Sequence, residues 1–509
     1  MKLKMETLFR IINIGFLFIF LLLCVFNSQI KYVWNDESFT LSLIPHSYLS
    51  ILSLTAKDVH PFLYYWIAKF LSFGTTNIYS LIVIERLVSL LPYLLLLLIS
   101  FTYIRRFWGQ TVSLIFSVSV LLMPGILQYG EQIRMYSWAI FFVTCVFLNA
   151  LLILKSDSQN RYWIGLSVFS IFAAYTHYYG FLDVIFIYFI LLLCWKNLRF
   201  TFWKYLLSVA VDLLIFLPWI PIFLHQVSGV SADYWIGKFG LKQIIEFVLF
   251  PFTLTNSIPG YLVAALLFFI IAAGLFIFLK EHRTHGSNRE IQYFEMLGGI
   301  FPTLLVILAG TLISYVDRPI LISRYLVPGL GIFWFSVSIL ISKSDHKNFK
   351  KILLIAVLCL GLLNSIAYTR RLLIENQTFQ TSSNFFKQMN KKAILIYDNS
   401  VTMFVSSYYL QNNQNFVLEH RNHDVTFNLY QAVYPNITET SIQRSKTLLT
   451  SKHVYFIEAS KNSNRLHESQ DKHKFLRYVK KHFMLKKQGQ YQLPLDGDFN
   501  VYRVSGKSK

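Results

Sequence analysis

The residues able to do chemistry gather in five short stretches. The first reads Trp34-Asn35-Asp36-Glu37-Ser38-Phe39, and the second Lys57-Asp58-Val59-His60-Pro61-Phe62-Leu63-Tyr64-Tyr65-Trp66. The third is Gln128-Tyr129-Gly130-Glu131-Gln132-Ile133-Arg134-Met135-Tyr136, and the fourth Thr176-His177-Tyr178-Tyr179. In the fifth, Asp317-Arg318-Pro319 precedes Ser323-Arg324-Tyr325-Leu326-Val327-Pro328. Carboxylates and imidazoles move protons, and an arginine fork holds two phosphate oxygens at once. These are the materials for binding a phosphate and activating a hydroxyl. Asp58, His60 and Glu131 are also hard or borderline metal ligands. A divalent metal is therefore an open expectation, although the Asp58-x-His60 spacing is not a specific metal signature.

The elements that position these stretches follow from composition. Of 509 residues 55% are hydrophobic and only 14% charged, against about 25% charged in an ordinary globular chain. The 47 Lys+Arg and 26 Asp+Glu leave a net charge of +21. On a soluble protein that balance suggests nucleic acid. In a chain this apolar it marks cytoplasmic loops and contacts with anionic lipid, and no nucleic-acid partner is expected. Cys24, Cys145, Cys194 and Cys359 all lie inside apolar runs, where they pack as small hydrophobes rather than as a disulfide framework. The reading is a polytopic α-helical membrane protein.

Eleven apolar runs are candidate spans: 11–26, 78–104, 110–127, 135–154, 162–176, 179–195, 203–222, 259–279, 293–314, 326–341 and 351–368. The first is too long for the apolar core of a signal peptide and lacks its small-residue cleavage site. With the N-terminus in the cytoplasm, every second connection must also be inside. Those connections hold Arg105 and Arg106; Lys155 and Arg161; Lys196, Arg199 and Lys204; Lys280, Arg283 and Arg289; and Lys343, Lys347, Lys350 and Lys351. The alternate connections hold far fewer cations, which agrees with the positive-inside rule. This requires that 61–73 does not cross, and 13 residues are too few to do so. The segment reads as an interfacial helix within a first outer loop at 30–77. All five chemical stretches then share one face of the bilayer.

Beyond residue 368 the chain turns polar, with 21 Lys+Arg and 10 Asp+Glu over 369–509. Strand-like runs at 393–397, 416–418, 454–457 and 500–504, and a helix over 401–411 after the capping types Asp398-Asn399-Ser400, predict a small α/β domain outside the cell. The basic-aromatic segment 472–487 reads either as a helix on anionic lipid or polymer, or as a solvated face of that domain. The chain divides into 1–368 and 369–509.

The Asp36-Glu37 pair beyond the first span, the Asp58-x-His60-Pro61-x-Leu63-Tyr64-Tyr65 segment and the Glu131-x-x-Arg134-Met135-Tyr136 loop carry a resemblance. Together with the His177-Tyr178-Tyr179 turn and the late Arg324-Tyr325, they resemble the GT-C membrane glycosyltransferases, in the protein-mannosyltransferase and aminoarabinose-transferase branch. The resemblance covers residues 1 to about 370. It departs at Phe62, where the family often has a second proline. It implies an inverting transfer of a sugar from a polyprenyl-phosphate donor to an extracytoplasmic acceptor, which could be cell-envelope glycan, lipid or protein. The family's essential carboxylate falls on Asp36. A carboxylate that deprotonates the acceptor as the C1–O bond breaks contributes roughly 10²–10⁴-fold.

Each role has a structural competitor. Asp36 could instead cap a helix, and Glu37 could assist it or bind acceptor. His60, Arg134, Arg324 and, by family position, Arg86 are candidates for the donor phosphate. The alternatives are ion pairs of Arg134 with Glu131 and of Arg324 with Asp317. Asp58, Glu131, Tyr136, His177 and Tyr325 are candidates for lining the substrate cleft. Within the spans Glu85, Asp183 and Asp212 are further ionisable groups, and Asp212 has no assigned role. Two other functions remain open: a lipid-linked-glycan flippase, and a glycan polymerase working through outer loops such as 223–258 with Lys238 and Lys242.

Overall fold

The computed structural model describes residues 2–155, 159–194, 201–229, 239–281, 289–344, 346–418, 425–460 and 472–506. Lys196, Arg199, Lys238 and Arg283 lie outside the described residues.

Every apolar run falls on a helix, since backbone groups in hydrocarbon must satisfy one another. Among the described residues, seven helices are long and apolar enough to cross a membrane: Glu6–Ser28, Ile78–Trp108, Tyr136–Lys155, Phe202–Ser228, Ile258–Lys280, Ser323–Lys343 and Lys347–Gln388. A pair bent by 58°, Glu290–Leu297 and Ile300–Val316, adds an eighth if it counts as one span. The three remaining runs form helices Gln110–Leu122, Asn160–Ala174 and Tyr178–Leu193 of 13, 15 and 16 residues, short of the ~20 that cross the hydrocarbon unaided. Length and composition thus support seven or eight of the eleven expected spans in a polytopic membrane protein.

The helix α1 (Lys2–Ser28) exposes Ile11, Ile14, Phe18 and Leu21 on its outer side, as a lipid-facing surface would. Tyr136–Lys155 is buried along most of its length and forms the axis of the bundle. The bend at Gly298-Gly299 is where that helix pair meets Leu330–Lys343. A Cβ at Gly299 would sit 2.0 Å from the Ile332 carbonyl oxygen, so only glycine lets the backbones approach this closely. Asp212 belongs to a hydroxyl network: Tyr188 donates to its Oδ2 at 2.7 Å and also meets Ser208 at 2.7 Å.

Between α1 and α5 (Ile78–Ile99) the first loop folds into α2 (Asn35–Leu43), α3 (Tyr48–Thr55) and α4 (Leu63–Leu71). Nine residues of α4 rise only about 13 Å. It buries Tyr64, Tyr65 and Ala68 while Phe70 and Phe73 face outward.

The helix Lys347–Gln388 continues without a break past residue 368 and delivers the chain to a six-stranded sheet. Its strands are β1 (Ile394–Tyr397), β2 (Gln414–Leu418), β3 (Ile437–Thr440), β4 (Val454–Ala459), β5 (Phe483–Leu493) and β6 (Gly497–Gly506), in the order β3-β2-β1-β4-β6-β5. The first four are parallel, and β6 and β5 close the edge as an antiparallel hairpin. Four strands match the sequence expectation; β3 and β5 carry too much polar sequence to be legible as strands. The helix Ser400–Tyr409 starts where its cap predicts, with Asn399 accepting the Thr402 N–H. Segment 472–487 splits into a helix, Lys472–His482, and the start of β5. Phe475 and Val479 pack into the core beside the sheet and Lys474, Arg477, Lys480 and Lys481 face out. The outward basic face is what both readings of the segment require.

This domain is built onto the loop between α1 and α5. The Tyr409 hydroxyl accepts the Val33 N–H and donates to the Lys31 carbonyl, both at 2.9 Å. Tyr434 meets Ser38 at 2.8 Å, and Phe39 packs on Tyr430 with ring centres 5.0 Å apart. One hydrophobic core runs from α1 through to β6.

Candidate active site

Asp36 is the second residue of α2, where the partial positive charge of the helix N-terminus favours a carboxylate. Its side chain keeps 21% of its surface open. Arg324 Nη1 donates to Oδ2 at 3.1 Å, and Arg134 Nη2 stands 4.0 Å from the same oxygen. Arg134 is also a scaffold: its Nη1 reaches the Asp36 carbonyl at 3.2 Å and the Thr40 and Tyr65 hydroxyls at 3.3 Å. The arginines therefore meet Asp36, not the partners considered from sequence. Asp317 instead pairs with Arg318 at 3.5 Å, and Glu131 lies against Asn27 and Tyr368.

Glu37, the next residue, points the opposite way. It is buried, its Oε1 accepts from Arg86 Nη1 at 3.2 Å and from the Ile133 N–H at 2.9 Å, and its Oε2 accepts the Trp34 N–H at 3.3 Å. Arg86 spends its remaining donors on the carbonyls of Tyr32 (2.7 Å) and Ile30 (3.3 Å). The pair ties α2, α5 and the loop 131–134 together. That loop is held from behind as well, because a Cβ at Gly130 would lie 1.5 Å from the Tyr93 hydroxyl. Only glycine fits there, and Arg134 follows four residues on.

Aromatic and imidazole rings surround the arginines that hold Asp36, and Tyr136 and Tyr325 lie within its electrostatic reach. Arg324 lies over the Trp34 ring (5.5 Å) and beside Tyr325 (5.9 Å), which stacks on Tyr179 at 4.6 Å. His177 sits 5.6 Å from His60, 5.7 Å from Tyr136 and 6.0 Å from Tyr325, ring centre to ring centre. It caps the helix Tyr178–Leu193 by accepting the Tyr179 N–H on Nδ1 at 3.2 Å, so its Nε2 carries the proton. Neither that Nε2 nor the Trp34 indole nitrogen has a hydrogen-bond partner among the described residues, and both atoms are buried. Burial, and after it Arg134, hold His60 well below the usual imidazole range and bring His177 down to about 3. Both rings are neutral at physiological pH.

Asp58 also lies within electrostatic reach of Arg134 and Asp36, its pKa pushed up to about 6 by burial and held back by Arg134. Burial alone drives Glu131 up to about 7, against Asn27 and Tyr368. Asp58, His60 and Glu131 do not converge, and no group of three or more His, Cys, Asp or Glu side chains among the described residues is placed to hold a metal ion. The donor set around Asp36, with two arginines, does not fit a cation.

Sequence reasoning assigned no role to Trp34, Thr40, Tyr430 or Asp496. Trp34 stands inside the first motif. Tyr430 and Asp496 reach α2 from almost 400 and more than 450 residues away, with no local pattern to announce them.

No family model matches the sequence, and no curated protein does. Solved structures do match in shape. The crystal structure of ArnT from Cupriavidus metallidurans in the apo state superposes with a TM-score of 0.61 at 12% identity, over 99% of this chain and 98% of that one. The same protein bound to undecaprenyl phosphate gives 0.59 at 12% identity, over 98% of each chain. The likeness spans both the helical bundle and the terminal sheet, so this chain shares the overall fold of ArnT.

Proposed function

We propose that the protein is an inverting glycosyltransferase that moves a sugar from a polyprenyl-phosphate donor to an acceptor hydroxyl or amine on the outer side of a cell membrane. The N-terminus is then cytoplasmic, and the sheet domain stands outside. The observation that carries the reading is the partly open Asp36 carboxylate held by Arg324 and Arg134, with the neutral His60 and His177 in the field of the same two arginines. The likeness to a protein crystallised with undecaprenyl phosphate supports the donor class.

Asp36 accepts the acceptor's proton while the sugar C1 leaves the lipid phosphate. Substitution in one step, with base and leaving group on opposite faces, inverts C1. Arg324 is the main phosphate ligand, since it can fork onto two oxygens. The His177 Nε2–H and the Trp34 N–H add neutral donors, fixed beforehand where charge grows. His60 acts beside His177, and Arg134 contributes field while holding α2. Tyr136 and Tyr325 line the cleft. Asp58 and Glu131 shape the surrounding loops, and no step runs through a metal. Glu37 and Arg86, saturated by each other, brace Asp36 rather than touch substrate.

The test is transfer by purified protein in liposomes, from defined polyprenyl-phosphate sugars to envelope acceptors, followed by mass spectrometry. Transfer that disappears in Asp36→Asn at normal expression supports the reading. Absence of transfer from every lipid-phosphate donor by folded protein overturns it in favour of transport, and unimpaired transfer in Asp36→Asn overturns the role of Asp36.

A further inference from the structure

The four N–H groups that open an α-helix have no partner within it. In α2 these belong to the residues around Asp36, and its cap position is Trp34, whose indole is not a capping side chain. One of the orphans, the Trp34 N–H, goes to Glu37 Oε2. The next, the Asn35 N–H, goes at 3.0 Å to Asp496 Oδ2, a carboxylate 461 residues away. The Asn35 side-chain amide donates to Tyr430 of the same domain at 3.3 Å.

Asp496 sits at the tip of the β5–β6 hairpin, and the shape of that tip is strained. The Asp496 N–H closes a turn onto the Leu493 carbonyl at 3.1 Å, with Pro494 second and Leu495 third. Leu495 has φ +71°, alone among the described non-glycine residues in being positive. The third position of such a turn normally takes glycine or asparagine. The Leu495 side chain is half exposed, so its burial does not offset the strain. Strained turns of this kind persist where surrounding structure demands them, and they concentrate at functional sites.

Resting on the reading of Asp36 as the base, we infer that Asp496 is a positioning residue: the hairpin tip caps α2 from outside and fixes where the Asp36 carboxylate points. The terminal domain is then part of the catalytic apparatus, not an appendage to it. A base displaced by about an ångström loses on the order of 10²-fold in rate, while the phosphate ligands Arg324 and His177, carried by other elements, stay where they are.

The full-length protein in liposomes provides the test. Binding of undecaprenyl phosphate, followed by Trp fluorescence, counts the folded sites, and kcat and KM for transfer are expressed per site. Asp496→Ala removes the acceptor. Asn35→Pro removes the donor at a helix position that tolerates proline. Each should lower kcat roughly 10- to 100-fold with undecaprenyl-phosphate affinity and donor KM within about twofold of the parent. The double variant should fall no further than Asn35→Pro alone, which removes the bond to Asp496 together with the side-chain bond to Tyr430. Asp496→Asn keeps a carbonyl oxygen and should recover most of the rate. Full kcat in Asp496→Ala or Asn35→Pro, losses that multiply in the double variant, or a change confined to KM overturns the inference. If Asp496→Ala does not fold, Asn35→Pro and Asp496→Asn decide it alone. Asp36→Asn in parallel separates the two claims: an active Asp36→Asn removes the base, whereas an inactive one beside a fully active Asn35→Pro removes only the cap.

Discussion

The helices Tyr136–Lys155 and Ser323–Lys343 carry a carboxylate cluster at each end. At their far ends, Lys155 and Lys343 close on the buried Glu295, the latter at 2.5 Å, and Trp108 donates its indole N–H to the same group at 2.7 Å. At their near ends, Arg134 and Arg324 close on Asp36. Both clusters set two cations against one carboxylate. They differ in what is left over. Glu295 is 1% exposed and its partners are used up. Asp36 is partly open, and the Trp34 indole nitrogen and His177 Nε2, from the same group of loops, are buried with no hydrogen-bond partner among the described residues. A satisfied cluster holds helices together, whereas one with unpaired donors beside it leaves polar capacity unused.

Substitutions on the two clusters should break this symmetry. Asp36→Asn is expected to cost about 10²–10⁴-fold in transfer with little change in thermal unfolding. Glu295→Gln should do the reverse, lowering unfolding free energy by ~1–3 kcal/mol while transfer per folded molecule persists. Its lysines retain 27% and 34% exposure and can turn to water. Glu37→Gln sharpens the contrast between neighbours. Arg86 has 5% of its side chain exposed and would be stranded, which costs ~3–5 kcal/mol, read as a lowered unfolding midpoint. Arg324→Lys keeps the charge and loses the fork, so KM for the lipid donor should rise roughly tenfold, about 1.4 kcal/mol.

The smallest effect concerns pH. His177 binds its proton near pH 3 in the folded chain and near 6.5 once unfolded. Between those values the unfolded chain holds the extra proton, so its contribution to stability is complete above about pH 6.5 and is lost as pH falls. His177→Gln should flatten the acid side of an unfolding-midpoint profile between pH 7 and 5.

The helices were legible because an apolar run of some twenty residues is a local signal that hydrocarbon enforces. Asp36 was legible by residue type and by its place after the first span. Its partners were not: Arg324 lies 288 residues on, and nothing local distinguishes an arginine that will meet Asp36 from one that will meet Asp317. Glu37 looked like a second active carboxylate because neighbours in sequence share a motif. Successive helix positions diverge by about 100°, and that turn sends it to Arg86. The spacing of the candidate metal ligands Asp58, His60 and Glu131 was no guide to their placement either, since Glu131 follows a short helix that aims it at α1 instead of at His60.

The 42-residue helix Lys347–Gln388 contains no proline and links bilayer to sheet without a joint. Its length acts as a phase. One inserted residue would rotate the whole terminal domain by about 100° and lift it ~1.5 Å, shearing the hairpin tip from α2. Seven would nearly restore the angle and leave the tip ~10 Å too high. A surface loop can be lengthened at little cost, but this rod admits no such edit unless the loop that carries α2 is rebuilt with it.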